Sequence, residues 1–528
     1  MGRLMRAPRR SKTAKASEPP ARPSSRIWSF LVLAALLLTV LAVNVADMPG
    51  MFIEGDPSIW REETRSILAD GRLNIDASLA SAAGEPGQYF VLNAADGKWY
   101  SKYGIMNSLM SAPPMLAQRA LSGPIPPAGF KPDLLVYNLY NILLSLLVCA
   151  MLYRITGLYS TKPAARAIYV LAAMYTGFLW YYQRAQSSEI YQVLFFLGFY
   201  DSLIRFLRGL DAPEGSSADR VVRWALGAWL MVLALVLTRV LYGLLIGVVA
   251  GAFTFVLAQL DKEARRRVLG RSLWLILVPP VPILSLVAAI NHVKFGSVWL
   301  SGYHQWRPQE HLPVGPIWDG LYGFLFSRQY SIFLDFPILA FALISLRKFI
   351  REHRVDAAAL GFTFLAFLLV LAKIPTWRGE WTYGPRYLLF MLPTLSLPFL
   401  DLLDGLFERR NRASAWATAA AMATVLSYST FLQAQANRLD FFAYYLMREP
   451  IRNNMSAPLK RYFYERPMAM ICDDLLAHRS SLNELSFMPE LKRLLPPPII
   501  QDYSSQLQDV LTRGNLYWRT PQKAAKLP

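Results

Sequence analysis

Long apolar stretches, separated by short segments rich in arginine and lysine, run through most of this sequence. From residue 27 to about residue 432 these stretches are roughly 17 to 25 residues long, the length that a helix needs to cross a bilayer. With 54% hydrophobic residues and a mean hydropathy of +0.27, the chain is too apolar for an ordinary soluble protein of 528 residues. The sequence therefore predicts an all-α polytopic membrane protein with about eleven transmembrane helices.

The distribution of basic residues predicts how these helices are oriented. The net charge of +19 comes mainly from the short segments between apolar stretches, so we expect membrane lipids and no nucleic acid as partners. The positive-inside rule places the N-terminus in the cytoplasm and the C-terminus outside, in the inner membrane of a bacterium. The apolar run at residues 27–45 exceeds the core of a typical signal peptide, which favours a retained anchor over a cleaved signal.

Three regions follow from this topology. Residues 1–26 form a basic cytoplasmic leader, residues 27–432 a transmembrane domain, and residues 433–528 an extracytoplasmic tail or small domain. Within the transmembrane domain, residues 47–132 form a long first extracytoplasmic loop. We expect amphipathic helices in the extracytoplasmic loops, beside the spans themselves.

One apolar segment, residues 224–260, is too long for a single span at 1.5 Å per residue. We divide it into two spans with Arg239 at the external turn, because a single span would move most later basic clusters outside. Ionisable residues are nearly absent from the predicted span centres, where an ion-coupled carrier usually needs them. The pattern therefore favours an enzyme that acts at the outer face over a transporter.

Most of the conspicuous polar residues fall in the predicted external loops. The motifs are EGDP at residues 54–57, YSKYG at 100–104, RAQSSE at 184–189, LTR at 237–239 and WRGEWTYGPRY at 377–387. Because these loops face one compartment, they can converge on one cavity. There, carboxylates can take a proton from a hydroxyl, basic groups can bind a phosphate, and aromatic rings suit the apolar faces of sugars. The sequence contains no phosphate-binding nucleotide loop and no zinc-ligand spacing.

On these motifs the chain resembles the GT-C superfamily of integral-membrane glycosyltransferases. The resemblance covers residues 27 to 432 and is strongest to bacterial enzymes similar to the protein O-mannosyltransferases and the lipid A aminoarabinose transferases. It rests on the order and shared side of the EGDP, YSKYG and LTR motifs, the acid at position 189 and GPRYL at residues 384–388. It implies an enzyme that transfers a single hexosyl or pentosyl group from a polyprenyl-phosphate donor, by inverting displacement, to an extracytoplasmic glycan, lipid or protein acceptor.

The resemblance also implies a role for the charged residues of these motifs. Asp56 is implied as the base that deprotonates the acceptor hydroxyl. The mannosyltransferases tend to carry two adjacent acids here, whereas one residue separates Asp56 from Glu54, so Glu54 remains a second candidate. Lys102 and Arg386 are implied as ligands of the lipid phosphate, with Arg239 as a further candidate.

The remaining implied site residues are one acid and four aromatic residues. Glu189 would orient the acceptor or complete a cation site, which leaves a divalent cation open as a cofactor and names no other. The aromatic residues of the same motifs are expected to bind substrate, and they are Tyr100, Tyr103, Tyr383 and Trp381.

Each charged residue also has a purely structural interpretation. Asp56 precedes a proline, as helix starts often do, and Glu189 can cap its own helix. Lys102 and Arg386 can anchor helices at the membrane interface. Two other functions stay open: a transporter or flippase of lipid-linked sugars, which would bind the same groups without reaction, and an oligosaccharide ligase, which would move a preassembled glycan.

Overall fold

The computed structural model describes residues 23–50, 56–75, 90–123, 133–210, 218–379, 383–408, 412–439, 448 and 456–513. Within these residues the chain is almost entirely helical, which confirms the predicted all-α class. The described residues also include a two-stranded antiparallel hairpin in the first loop, formed by β1 (Phe90–Asn93) and β2 (Lys98–Ser101).

The first half of the chain combines long apolar helices with short connecting ones. In chain order they are α1 (Pro23–Ala46), α2 (Asp56–Asp70), α3 (Ile105–Ser122), α4 (Leu134–Thr156), α5 (Pro163–Tyr175), α6 (Leu179–Arg184), α7 (Glu189–Gly209), α8 (Ala218–Thr238), α9 (Leu244–Gln259), α10 (Lys262–Ser272), α11 (Trp274–Leu277) and α12 (Pro280–Phe295). A 3₁₀ turn, Val240–Gly243, lies between α8 and α9.

The second half has the same character, with more short helices. In chain order they are α13 (Gly302–Gln305), α14 (Pro308–His311), α15 (Ile317–Phe326), α16 (Ile332–Asp335), α17 (Ile338–Glu352), α18 (Arg354–Leu371), α19 (Leu392–Leu395), α20 (Pro398–Glu408), α21 (Ala413–Arg438), α22 (Ala457–Tyr464), α23 (Met468–Ala477), α24 (Met488–Leu494) and α25 (Pro497–Arg513). Two further 3₁₀ segments are Arg386–Met391 and Leu482–Glu484.

Eight helical segments of the described chain are long and apolar enough to cross a membrane. They are Ile27–Ala46, Leu134–Thr156, Glu189–Gly209, Asp219–Thr238, Val240–Gln259, Trp274–Phe295, Arg354–Leu371 and Arg386–Glu408. Each coincides with a predicted span, and the break at Arg239 confirms that residues 224–260 form two helices. The three other predicted spans, at residues 167–182, 331–346 and 415–432, fall mainly on α5, α17 and α21, which are shorter or less apolar than these eight.

The helix α7 lies at the centre of the bundle. Its most apolar stretch is 78% buried, and that of the span beginning at Arg386 is 72% buried, whereas the value for α1 is only 17%. α7 packs against α4, α8 and the 3₁₀ segment that begins at Arg386. The two most enclosed of these spans therefore each begin with a charged residue of the predicted site, Glu189 or Arg386.

The first loop contains α2, the β-hairpin and α3, and the helical pattern did not predict the hairpin. The turn between its strands contains Asp96 and Gly97, and Gly97 has a φ of +68° that favours glycine. Asp-Gly between two strands is a strong local signal for a hairpin, so the sequence did contain this information. The hairpin matters for the site because β2 ends at Ser101, and Lys102 follows directly.

The C-terminal residues pack onto the bundle. Helix α21 continues to Arg438, so the predicted domain boundary at residue 432 falls inside a helix. Gln329 donates a hydrogen bond over 2.6 Å to the backbone oxygen of Phe463, and Gln435 donates one over 3.1 Å to Asp473. Apolar residues of α22 to α25 belong to the same buried cluster as those of α7. The described tail residues are therefore part of one packed body with the bundle.

Candidate active site

The five charged residues of the predicted site that the structure describes lie near one end of the bundle, which we call the site end. These residues are Asp56, Lys102, Glu189, Arg239 and Arg386. Asp56 begins α2, Glu189 begins α7, and Arg386 begins a 3₁₀ segment, whereas Lys102 and Arg239 lie in connections. The fold thus brings charged residues from distant parts of the sequence close together.

Glu189 faces two guanidinium groups in a buried setting. Its Oε1 lies 3.4 Å from Nη2 of Arg239 and 3.6 Å from Nη1 of Arg386. The side chain of Glu189 is 3% exposed, and those of Arg239 and Arg386 are 16% and 11% exposed. Both guanidinium groups also lie near the ring of Tyr387, with their carbons 5.2 and 5.3 Å from its centroid. One buried negative charge therefore faces two positive ones, which favours an added anion.

The GPRYL motif explains how Arg386 reaches this position. Gly384 adopts a φ of +66°, and a Cβ at this residue would lie 2.8 Å from the ring of Phe178. The chain can therefore turn tightly against the bundle before Pro385 starts the next segment. Arg386 then donates a hydrogen bond over 3.2 Å to the backbone oxygen of Gly379. Its Nε is buried and has no hydrogen-bond partner among the described residues.

The YSKYG and LTR motifs contact each other directly. A Cβ at Gly104 would lie 2.1 Å from the backbone oxygen of Leu237, so only glycine permits this approach. Asn107 strengthens the contact by donating a hydrogen bond over 3.2 Å to the backbone oxygen of Thr238. Arg239 follows in an extended conformation, with φ −148° and ψ 128°. Close packing of the two motifs thus sets the position of Arg239 relative to the first loop.

Asp56 is paired with Tyr103. The Tyr103 hydroxyl donates a hydrogen bond to the Asp56 carboxylate, and its ring lies edge-on to Trp60 and Tyr303, with centroids 5.1 and 6.2 Å away. Burial, together with the negative charge of Asp56, holds the pKa of Tyr103 well above its ordinary value. The hydroxyl therefore keeps its proton and orients the carboxylate.

Lys102 lies against an aromatic ring of a later loop. Its Nζ is 3.0 Å from the ring centroid of Trp306 and 5.0 Å from that of Tyr103, and the residue is 4% exposed. A Cβ at Gly302 would lie 2.3 Å from the backbone oxygen of Lys102, so this glycine allows the later loop to pack on Lys102. The contact is a cation–π interaction in a desolvated setting.

Two tyrosines that were not predicted as site residues join these groups. Tyr303 lies between Tyr103 and Trp306, with ring centroids 6.2 and 6.4 Å away. Burial raises the pKa of Tyr303, and the nearby Arg239 partly opposes this shift. Tyr387 lies beside both site arginines, as described above. The only local signal was position, because Tyr303 follows Gly302 and Tyr387 follows Arg386 directly.

Two predicted substrate ligands use their hydroxyls elsewhere. Tyr100 donates a hydrogen bond over 2.7 Å to Asp96, and its ring packs with a separate apolar cluster. Tyr383 donates one over 2.8 Å to Gln433, and its ring packs on Tyr181. Of the four aromatic residues predicted to bind substrate, the structure brings Tyr103 to the carboxylate of Asp56. Glu54 and Trp381 lie outside the described residues, and their roles stay predictions.

The described residues do not fit a metal site. They include no group of three or more His, Cys, Asp or Glu side chains that could hold a metal ion. Glu189, which was considered for a cation site, is flanked by the guanidinium groups of Arg239 and Arg386, and these repel a metal cation. The arrangement suits an anion instead.

A buried ion pair that the sequence motifs did not predict lies next to the site residue Tyr103. Nζ of Lys294 lies 2.6 Å from Oε1 of Glu63 and donates a hydrogen bond over 2.8 Å to the backbone oxygen of Tyr103. Ser108 donates another over 2.5 Å to Glu63. The side chains of Lys294 and Glu63 are 1% and 0% exposed. The pair thus ties α2, α3 and α12 together beneath Tyr103.

Comparisons with known proteins give structural relatives only. No family model and no curated protein sequence matches the chain. A similar solved structure is that of ArnT from Cupriavidus metallidurans bound to undecaprenyl phosphate, with a TM-score of 0.50 and 15% identity over 92% of this chain and 76% of ArnT. Another is AglB, an archaeal oligosaccharyltransferase from Archaeoglobus fulgidus in complex with an inhibitory peptide and a dolichol-phosphate, with a TM-score of 0.47 and 13% identity over 84% of this chain and 60% of AglB.

The similarity to ArnT extends over 92% of this chain. At 15% identity it concerns the arrangement of the helices and not the chemistry of the site. Together with the all-α bundle described above, it shows that this chain has the GT-C fold.

Proposed function

We propose that this protein is a membrane glycosyltransferase that moves a single sugar from a polyprenyl-phosphate donor to an acceptor outside the cytoplasmic membrane. The observation that supports this most directly is the site end itself, where a buried acid faces two arginines near a lysine and a second acid. ArnT, which has the same fold, was solved with undecaprenyl phosphate bound. The extracytoplasmic position of the site end rests on the positive-inside rule.

The charges of the site end suit one phosphodiester. Two cations, Arg239 and Arg386, face the single carboxylate of Glu189, which leaves one positive charge in excess within this group of described residues. A phosphodiester carries one negative charge and would neutralise this excess. Arginine is well suited to bind it because its planar group can donate two parallel hydrogen bonds. The unpartnered Nε of Arg386 is available for such a bond.

The second acid, Asp56, suits the role of general base. In the proposed step it takes the proton of the acceptor hydroxyl while the acceptor oxygen attacks the anomeric carbon of the donor sugar. The bond between that carbon and the phosphate oxygen breaks, and the phosphate leaves with the electron pair. Lys102 and the two arginines stabilise the charge on the leaving oxygen. Attack from the face opposite the phosphate inverts the configuration of the anomeric carbon.

The test is transfer by the purified protein in proteoliposomes, with undecaprenyl phosphate carrying mannose, glucose or arabinose as donor and a cell-envelope extract as acceptor. Asp56→Asn should lower the rate about 10²- to 10⁴-fold, because it removes the base. Binding of undecaprenyl phosphate without sugar should change little. Asp70→Asn is the matched control, because Asp70 ends the same helix that Asp56 begins.

Other outcomes separate this proposal from its alternatives. Full transfer activity in Asp56→Asn would contradict the role of Asp56. Movement of the lipid-linked sugar across the membrane that persists in this variant, with no transfer by either protein, would favour a flippase. Transfer only from carriers that bear a preassembled oligosaccharide would favour a ligase.

A further inference from the structure

His311 belongs to none of the sequence motifs, yet it lies within the aromatic group of the site end. It is the last residue of the short helix α14, outside the spans. Its ring stacks on Trp306, with centroids 4.6 Å apart and an interplanar angle of 17°, and lies 5.5 Å from the ring of Tyr303. Trp306 also contacts Lys102, so one ring joins His311 to a proposed phosphate ligand.

The hydrogen bonds around His311 assign its tautomer. Thr376 donates its hydroxyl proton over 2.6 Å to the backbone oxygen of Glu310. The same hydroxyl oxygen lies 3.3 Å from Nδ1 of His311, and since its proton is already used, it accepts from Nδ1. Nδ1 therefore carries the ring proton, and Nε2 presents a lone pair.

Nε2 is a buried acceptor without a donor. The atom is shielded from solvent and has no hydrogen-bond partner among the described residues. Burial, together with the positive charges of Lys102, Arg239, Arg307 and Arg386, lowers the pKa of His311 to about 4, so the ring is neutral at physiological pH. A buried acceptor left unpaired is unfavourable, and a ligand that supplies an O–H or N–H recovers this cost.

One other charged group adjoins His311 in sequence, the carboxylate of Glu310. Its Oε2 lies 3.5 Å from Nη1 of Arg307, so it forms an ion pair with that cation. The carboxylate of Glu310 can only accept hydrogen bonds, and none of the neighbouring cations donates one to Nε2. Among the described residues, no group therefore supplies a donor to Nε2.

We infer that His311 accepts a hydrogen bond through Nε2 from a hydroxyl of the donor sugar and so helps to select that sugar. This rests on the proposed function. Of the three parts of a polyprenyl-phosphate sugar, the isoprenoid chain and the phosphodiester carry no hydrogen-bond donor, whereas the sugar carries several. The sugar is bonded to the phosphate, so a phosphate near Lys102 places it close to His311. His311 is thus a specificity-determining residue.

The test compares carriers with and without sugar. Binding of bare undecaprenyl phosphate, and of undecaprenyl phosphate linked to mannose, glucose or arabinose, is measured by titration of the full-length protein in nanodiscs. His311→Phe keeps an aromatic ring but removes the acceptor, and should weaken binding of the preferred sugar-linked carrier about five- to tenfold, the effect of one hydrogen bond. Binding of the bare carrier should not change. His311→Asn, whose amide oxygen can accept, should recover part of the loss.

His292→Phe is the matched control, because His292 is exposed on α12 and should show neither effect. Equal weakening of bare and sugar-linked carriers by His311→Phe would place the phosphate at His311 and overturn the inference. Unchanged binding of both, with slower transfer, would assign His311 to the acceptor and also overturn it. If the wild-type protein binds the bare carrier but no variant distinguishes the carriers, the inference about His311 fails and the proposed function is unaffected. If the wild-type protein binds no carrier, the proposed function fails with it.

Discussion

The two ends of helix α7 carry the same set of charges in different geometries. In the last three turns of α7, each oxygen of Asp201 meets its own arginine, at 2.8 Å for Arg154 and 2.9 Å for Arg205. These arginine side chains are 48% and 29% exposed, so water solvates their excess charge. At the site end, one oxygen of Glu189 is shared by two arginines at 3.4 and 3.6 Å, and these are largely buried.

This difference shows what makes a cluster of charges a candidate site. The Asp201 set has short contacts and solvated cations, so an added ligand would gain little there. The Glu189 set has long contacts and cations removed from water, so an anion would gain both hydrogen bonds and charge compensation. Composition alone does not separate the two sets, because each has one acid and two arginines.

The largest expected effect on stability comes from breaking a buried lysine pair at the site end. The comparison is an exposed lysine pair elsewhere, whose loss should matter little. Lys294→Met leaves the carboxylate of Glu63 buried without its cation and should cost about 3 to 5 kcal/mol of unfolding free energy. Lys348→Met removes a pair with Asp401 in which the lysine side chain is 51% exposed, and should cost less than about 1 kcal/mol. Denaturant unfolding in detergent micelles measures both.

The double variant Lys294→Met with Glu63→Gln provides the control. It leaves no buried charge and should recover part of the stability lost by Lys294→Met alone. A loss for Lys294→Met no larger than that for Lys348→Met would show that the burial of the Glu63 pair does not matter.

The sequence predicted the fold better than the details of the site. Span lengths and the break at Arg239 follow from local hydropathy and charge, which are properties of short segments. Glu189 and Arg386 were predicted as site residues because each begins a span on the same predicted side. His311 and Lys294 were missed because their positions depend on how loops distant in sequence pack on each other. No spacing rule encodes such contacts.

A second, smaller effect compares one arginine from each charge set. Arg386→Met should weaken binding of bare undecaprenyl phosphate about ten- to hundredfold, because charge-assisted hydrogen bonds are worth about 1.5 to 3 kcal/mol. Arg205→Met removes an arginine from the Asp201 set and should leave this binding unchanged. Titration in nanodiscs measures both affinities. Equal weakening by the two substitutions would mean that overall charge, and not the geometry at Glu189, attracts the lipid phosphate.

The smallest expected effect concerns pH and acts through His311. Its pKa of about 4 lies below the value near 6.5 expected in the unfolded chain, so the unfolded protein binds more protons between these pH values. The stability contributed by the neutral ring is therefore complete above about pH 6.5 and is lost as the pH falls toward about 4. Over this range, wild-type stability should fall faster with falling pH than that of His311→Asn, in denaturant unfolding. Equal slopes would mean that the folded protein already protonates His311, so Nε2 would be a donor and no acceptor for a sugar hydroxyl.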